Sequence, residues 1–360
     1  MKNNVRESGI ELLRIICICG VIVLHYNGSF AMKLVTPNSA NHYLLLLLES
    51  VFICAVDLFV LISGYYLCTT NSRKAVKITD MLIQVVVFGI LSYIVSCHIC
   101  HTYPSMTSLA KSAIPNNYYV TLYLMLYFLS PYINIALHKL TDKQLGFLVM
   151  SCFVLLAVWP TVLDFKFLLT GTVRNGLYTI SSNGSQYGYS LLNFSLMYLI
   201  GTYLRRKDNT GKIWVNLLGA AVCIGAIFVL QQYCSTAALS YCNPFVIMLA
   251  VFYFRLFKAM HFRSVLVNTL AKGTFTVFLF HNVFLFRVRI HEFVNRNILV
   301  LMGHIAASVV SIFLIGWIAW QIYDPLSKPL SRFLGKKLRK VDALLSPPLE
   351  QVQEPPQQGD

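Results

Sequence analysis

The chain has 360 residues, of which 57% are hydrophobic and only 12% charged; soluble domains carry about 25% charged residues. With a mean hydropathy of +0.64, this composition excludes an ordinary soluble globular protein. The formal net charge of +15 is spread mainly between long apolar runs, a pattern of membrane topology and not of a nucleic-acid-binding face.

A hydrocarbon core of about 30 Å requires roughly 20 apolar helical residues, and that ruler predicts ten spans in chain order: 8–26, 43–67, 78–98, 118–137, 145–164, 188–204, 213–232, 241–257, 273–290 and 299–322. The predicted fold is all-α: a polytopic integral membrane protein of about ten transmembrane helices, with one membrane domain over 1–345. The first run has full membrane length and contains Arg14 and His25, so it is expected to be retained and not cleaved as a leader. The segment 346–360, SPPLEQVQEPPQQGD, is rich in Pro and Gln and is expected to be a disordered cytoplasmic tail. With the N-terminus inside, 21 of the 29 cationic residues fall in cytoplasmic segments and 7 in external ones, Arg14 being left within the first span. That bias places both termini in the cytoplasm and accounts for the net charge without a nucleic-acid partner. No internal repeat is visible, which weighs against transporter folds built from duplicated halves.

Ionisable residues inside spans carry the functional signal, because each costs a few kcal/mol or more in hydrocarbon. Arg14 and His25 are eleven residues apart. At 100° per residue they share one helix face, roughly 16 Å apart along the axis. Glu11, three residues before Arg14, can neutralise it across one turn. The second span runs back inward with Glu49 near the level of His25 and Asp57 about 12 Å deeper. Asp57 is thus expected to partner Arg14, and Glu49 to orient His25 as a carboxylate supports a general base. The plain alternative has Arg14 snorkelling inward, with His25 and Glu49 at the outer interface. Ser63-Gly64 is expected to loosen the helix as it reaches the cytoplasm. The cations that follow, Arg73, Lys74 and Lys77, either hold an anionic ligand or act only as topology signals.

Four blocks carry a family resemblance. ELLRII at 11–16, continuing to Val23-Leu24-His25, has an Arg-x10-His spacing; VDLFVLISGY occupies 56–65; YYVTLYLMLYFLSP runs from Tyr118 to Pro131; FTVFLFH runs from Phe275 to His281. In this order they resemble the acyltransferase-3 family of multispanning bacterial membrane O-acyltransferases, the first two blocks being the specific ones. The resemblance implies transfer of an acyl group, usually acetyl from acetyl-CoA, to a hydroxyl of a cell-envelope sugar. His25, Arg14, Glu49 and Asp57 are then the expected catalytic set, and Arg14, Arg73, Lys74 and Lys77 the expected donor contacts. One departure is local: the basic motif after the second helix, often Arg-x-x-Arg in the family, reads RKAVK at 73–77.

Other patterns weigh less. CHICH at 97–101 matches a haem-attachment spacing, but its ligand-type residues cannot all face one metal from a regular helix, and neither metal nor haem is expected. His138 and Asp142 match an H-x-x-x-D pattern in a short link, where chance is the simpler reading. Membrane cysteines such as Cys17, Cys19, Cys54 and Cys152 behave as small apolar residues. His281 and His304 either line the His25 cavity or sit at the interface with satisfied hydrogen bonds.

The expected function is a membrane O-acyltransferase of the cell membrane that uses acyl-CoA to modify a cell-surface or lipid-linked polysaccharide. The rival reading is a transporter or flippase of lipid-linked glycan, with Arg14, Asp57 and His25 as a substrate or proton path. The charge bias makes its own prediction. Reporter fusions after Lys74, Lys212 and Lys340 should read cytoplasmic and fusions near Lys33 and Arg174 external; an external reading at Lys212 would imply an odd number of spans before it.

Overall fold

The computed structural model describes residues 7–171, 181, 182, 184 and 186–346. The expected tail lies outside the described residues except for Ser346, as does Arg174. Among the described residues the secondary structure is entirely helical. Each of the ten expected spans coincides with a helix, labelled here α1 (Ser8–Tyr26), α2 (Ala40–Leu67), α3 (Ala75–Ile99), α4 (Tyr118–His138), α5 (Asp142–Thr170), α6 (Leu191–Lys207), α7 (Ile213–Ala238), α8 (Pro244–Lys258), α9 (Thr274–Leu285) and α10 (Ile298–Lys337). Seven of these are long and apolar enough to cross a membrane. The other three, α6, α8 and α9, have 17, 15 and 12 residues.

The helix starts follow local chemistry. The Asn117 side chain accepts from the Val120 amide ahead of α4, Thr141 and Gln144 form a reciprocal capping box at α5, and Ser190 caps α6. Asn243 with Pro244 at the first position opens α8, and Asn297 caps α10. Each supplies an oxygen to an amide that has no intrahelical partner. α10 runs 40 residues, about 60 Å, so its second half projects beyond the apolar slab.

α1 and α2 form the centre: 61% and 72% of their apolar windows are buried within the protein, against 17–39% for the other five long helices. α2 is interrupted at Ile53 and Cys54, not at Ser63-Gly64 as its composition suggested. Ser63 Oγ does bond back to the Phe59 carbonyl at 2.9 Å, yet the helix continues to Leu67. Gly64 serves packing instead. A Cβ there would stand 2.5 Å from the Tyr198 carbonyl of α6, and one on Gly201 would stand 2.3 Å from the Leu61 carbonyl. Two glycines thus let the backbones of α2 and α6 touch, the small-residue contact expected where apolar side chains gain little by leaving lipid.

α1 ends in a π-helical turn, Asn27–Ala31, directly after His25 and Tyr26. Such a turn displaces the following residues relative to an α-helix and is common beside functional sites. α9 is too short to cross the bilayer alone. It is preceded by a separate helix, Val265–Lys272, and broken segments of this kind persist at membrane depth only when enclosed by protein.

Candidate active site

A cavity of about 170 Å³ opens between α1, α2, α3, α4 and α9. Its wall is mostly apolar and aromatic, with Val21, Phe59, Tyr119, Tyr123 and Phe278 facing Arg14 and Ser63. Arg14 forms an ion pair with Glu11 at 3.6 Å, the partner one turn away that the sequence offers. Its buried Nε–H has no protein acceptor, while the side chain as a whole is 39% exposed where it lines the cavity.

One helix face further along α1, the His25 ring lies 4.9 Å from the His281 ring of α9, centre to centre, at an interplanar angle of 52°. His281 is only 3% exposed, and its Nδ1 is 2.7 Å from the Phe278 carbonyl oxygen. A carbonyl only accepts, so Nδ1 carries the proton and donates, which leaves the lone pair on Nε2. That buried Nε2 has no hydrogen-bond partner. Phe278, which lines the Arg14 cavity, also lies beside the His281 ring at 6.0 Å, so the histidine pair adjoins the far end of the cavity. Of the two late histidines, His304 is the interfacial one: it holds the Tyr26 hydroxyl at 2.9 Å and stacks on Phe293 at 3.9 Å.

The expected carboxylate pairings do not form. Among the described residues no ion pair joins Asp57 to Arg14 or Glu49 to His25. Asp57, fully buried, accepts from Asn193 Nδ2 of α6 at 3.0 Å, because α6 packs on the Asp57 side of α2 while Arg14 finds Glu11 on its own helix. Glu49 bonds Asn27 of the π-turn, and Asn27 in turn donates to the Leu45 carbonyl at 3.1 Å. The two carboxylates therefore brace the elements that present Arg14 and His25.

The basic loop divides into two roles. Lys74 and Lys77 are exposed: Met81, which lines the cavity, follows Lys77 by four residues, one turn further along α3, and Lys74 is the residue that precedes the helix. Arg73, grouped with them on sequence, is 2% exposed, and all five of its N–H donors meet protein oxygens. Nε and Nη2 reach Ser130 Oγ at 3.0 and 2.8 Å. Nη1 reaches the Thr70 and Ser72 carbonyls, and Nη2 also the Leu67 carbonyl. These carbonyls are at or just beyond the C-terminal end of α2, where the helix dipole favours a cation. The guanidinium also lies 5.4 Å from the centre of the Tyr127 ring. The segment after α10 closes over the loop: Ser346 Oγ accepts from the Arg73 amide at 2.8 Å, and Asp342 accepts from the Ala75 amide at 2.7 Å.

With this geometry in place, comparison with known proteins decides the family. The family model described as an acyltransferase domain, of the acyltransferase-3 type, matches residues 7–324. The chain belongs to the acyltransferase-3 family. It is a multi-pass membrane acyltransferase. No curated protein and no solved structure matches the chain.

Several residues around the acyltransferase site were not singled out from sequence. Asn193, Asn134 and Ser130 are polar side chains within membrane helices, and the rule that selects ionisable residues would have found them if extended to amides and hydroxyls. Tyr119 and Tyr123 gave no such signal within an aromatic-rich helix. The H-x-x-x-D pattern is structural, since Asp142 meets Arg206 at 3.7 Å and Lys207 at 3.4 Å where α4 turns into α5.

The Arg73 cage predicts a stability phenotype. Arg73→Ala should lower the unfolding free energy by about 3 kcal/mol or more, since several buried acceptors lose a charged donor, and Arg73→Lys should restore only part of it because a point charge cannot serve the same fork. Unfolding curves in detergent micelles check this. Unchanged stability in Arg73→Lys, together with a raised KM for the acyl donor, would instead place the guanidinium at the donor.

Proposed function

We propose that the acyltransferase takes an acyl group from an acyl-CoA, acetyl from acetyl-CoA in the first instance, and transfers it to a hydroxyl of a cell-surface or lipid-linked polysaccharide at the cell membrane. The observation that carries this reading is the single face of α1, which presents Arg14 to an apolar cavity at one end and His25, against His281, at the other. The roughly 16 Å between them suits an elongated donor whose reactive end must lie far from its charged end.

In this mechanism the CoA phosphates rest at Lys74 and Lys77, which attract anions at the cytoplasmic mouth. The pantetheine arm lies along the cavity, and Arg14 Nε–H donates to one of its carbonyl oxygens. His25 accepts the proton of the acceptor hydroxyl as that oxygen attacks the thioester carbonyl. The tetrahedral intermediate collapses, the C–S bond breaks, and the leaving thiolate takes the proton back from His25, so the imidazole ends as it began. The apolar wall excludes water, which would otherwise compete as nucleophile. Glu49, through Asn27, and Asp57, through Asn193, are positioning residues here: they hold the π-turn and α6 against the helices that carry the reacting groups.

Two sets of variants test the assignment. His25→Ala should abolish acyl transfer in protein that is still inserted and folded, and Arg14→Lys should fail as well, because Lys supplies a point charge in place of the planar guanidinium fork. Normal glycan acylation by well-expressed His25→Ala would remove the mechanism. Lys74→Gln with Lys77→Gln should raise the KM for acetyl-CoA roughly tenfold while changing kcat much less, since contacts remote from the carbonyl bind ground and transition states alike. An unchanged KM with orientation intact would make these lysines topology signals alone.

A further inference from the structure

The seven cationic residues expected outside the cytoplasm are unevenly placed: Arg287, Arg289 and Arg296 all fall between α9 and α10. Short external loops are normally poor in Arg and Lys, so this concentration works against the insertion signal and calls for another cause. The structure puts two of the three on a cavity. A space of about 270 Å³ is lined by Phe30, Leu34, Phe286, Arg287, Arg289 and His291, with Leu285 and Ile290 at its base.

The position of this cavity connects it to the site. Phe30 lies in the π-turn that follows His25, and Leu285 lies one turn beyond His281 on α9, about 6 Å along the axis. The cavity therefore opens just past the histidine pair, on the side away from Lys74 and Lys77. Its chemistry is that of an anion and a ring. Phe286 is 67% exposed and meets Phe30 edge to face at 5.4 Å. The Arg289 and His291 side chains are 72% and 67% exposed. Arg287 donates to the Ile99 carbonyl at the C-terminal end of α3, which fixes its guanidinium at the rim. Glu292 pairs with Arg289 and lies 3.7 Å from His291. One carboxylate against two guanidinium groups leaves the cavity cationic, and Arg forks match carboxylate and phosphate oxygens.

We propose that this cavity docks the acyl acceptor, and that the acceptor is an anionic glycan with a carboxylate or phosphate close to the hydroxyl that is acylated. The proposal rests on the acyl-transfer reading above and names its substrate class. An exposed aromatic ring covers the C–H face of a sugar while the guanidinium groups hold the acidic substituent, which orients the neighbouring hydroxyl toward His25. The same phosphate chemistry is offered by the headgroup of an external-leaflet lipid, and the test separates the two sources.

The protein is placed in nanodiscs of phosphatidylcholine alone, without donor, and binding is measured for a fluorescent oligosaccharide of glucuronic acid and for its carboxyl-reduced, uncharged counterpart. The charged sugar should bind at least about tenfold more tightly, with an advantage that shrinks as salt is raised. Arg287→Gln with Arg289→Gln should erase that advantage, and Arg287→Lys with Arg289→Lys should retain much of it, which shows that charge and not misfolding is responsible. Equal affinity for the two sugars, or a preference that survives in the Gln variant, overturns the proposal. So does a lipid outcome, in which native mass spectrometry shows phosphatidylglycerol retained by the wild type and lost from the Gln variant while the sugars are not distinguished. Release of free CoA on adding acetyl-CoA and acceptor is followed separately: its absence with every acceptor sinks acyl transfer, whereas the donor-free binding comparison judges the cavity by itself.

Discussion

The cage around Arg73 is the constraint on which the end of the bundle at the C-terminus of α2 depends. A guanidinium buried without a carboxylate partner is tolerable only where oriented dipoles replace water, and here the C-terminal carbonyls of α2 do so. The same carbonyls of Leu67 and Thr70 also accept from Asn134 Nδ2 of α4, and Asn134 accepts in turn from the Tyr198 hydroxyl of α6 at 2.7 Å. One hydrogen-bonded cluster thus binds the C-terminal ends of α2 and α4 to the middle of α6. Tyr198 sits where Gly64 brings α2 against α6, so the polar cluster and the close backbone packing reinforce each other. Both α2 and α4 wall the Arg14 cavity, which therefore inherits its shape from contacts outside it.

The interior of the site follows an opposite rule. Where the Arg73 donors are all engaged, the Arg14 Nε–H and the His281 Nε2 are buried and unengaged. Buried polar atoms without partners cost about 1–3 kcal/mol each. A donor on a residue that lines the cavity and a lone pair on a histidine beside Phe278 of its wall are groups that a ligand with complementary polarity would complete. Arg73 and Arg14 thus differ in how fully the fold engages the same side chain: every N–H of the first meets a protein oxygen, while Nε of the second does not.

Much of the architecture was legible in the sequence because hydrocarbon thickness acts on every span alike. The helical positions of all ten expected segments emerge from hydropathy, and the face shared by Arg14 and His25 emerges from helix periodicity. What was not legible required knowing which helices are neighbours. Spacing placed Glu49 at the level of His25 and Asp57 near that of Arg14, and depth alone made them partners; rotation about the helix axis instead turns Asp57 toward Asn193 of α6 and Glu49 toward the π-turn. RKAVK at 73–77 likewise reads as one basic patch, yet the chain direction at the end of α2 turns Arg73 inward and leaves Lys74 and Lys77 outside. The glycine at 64 gave a correct signal of a special backbone position, but the reason was a neighbouring carbonyl and not a bend.

The pairing of His25 with His281 has a consequence for how the site works. In the proposed reaction a second protonated imidazole 4.9 Å away would repel the charge that His25 acquires on taking the proton. The Phe278 carbonyl holds His281 in the tautomer that carries its proton on Nδ1, so the face it turns to the site is a neutral lone pair. A neutral acceptor beside a nascent imidazolium stabilises it through a dipole, without the fixed negative charge that a carboxylate would bring into an apolar site. In the proposed reaction that difference matters twice. A buried carboxylate would carry a large desolvation penalty in the membrane interior, and it would repel an anionic acceptor arriving from the cationic cavity just beyond. On that proposal the second histidine would support proton transfer while leaving the approach open to negative charge.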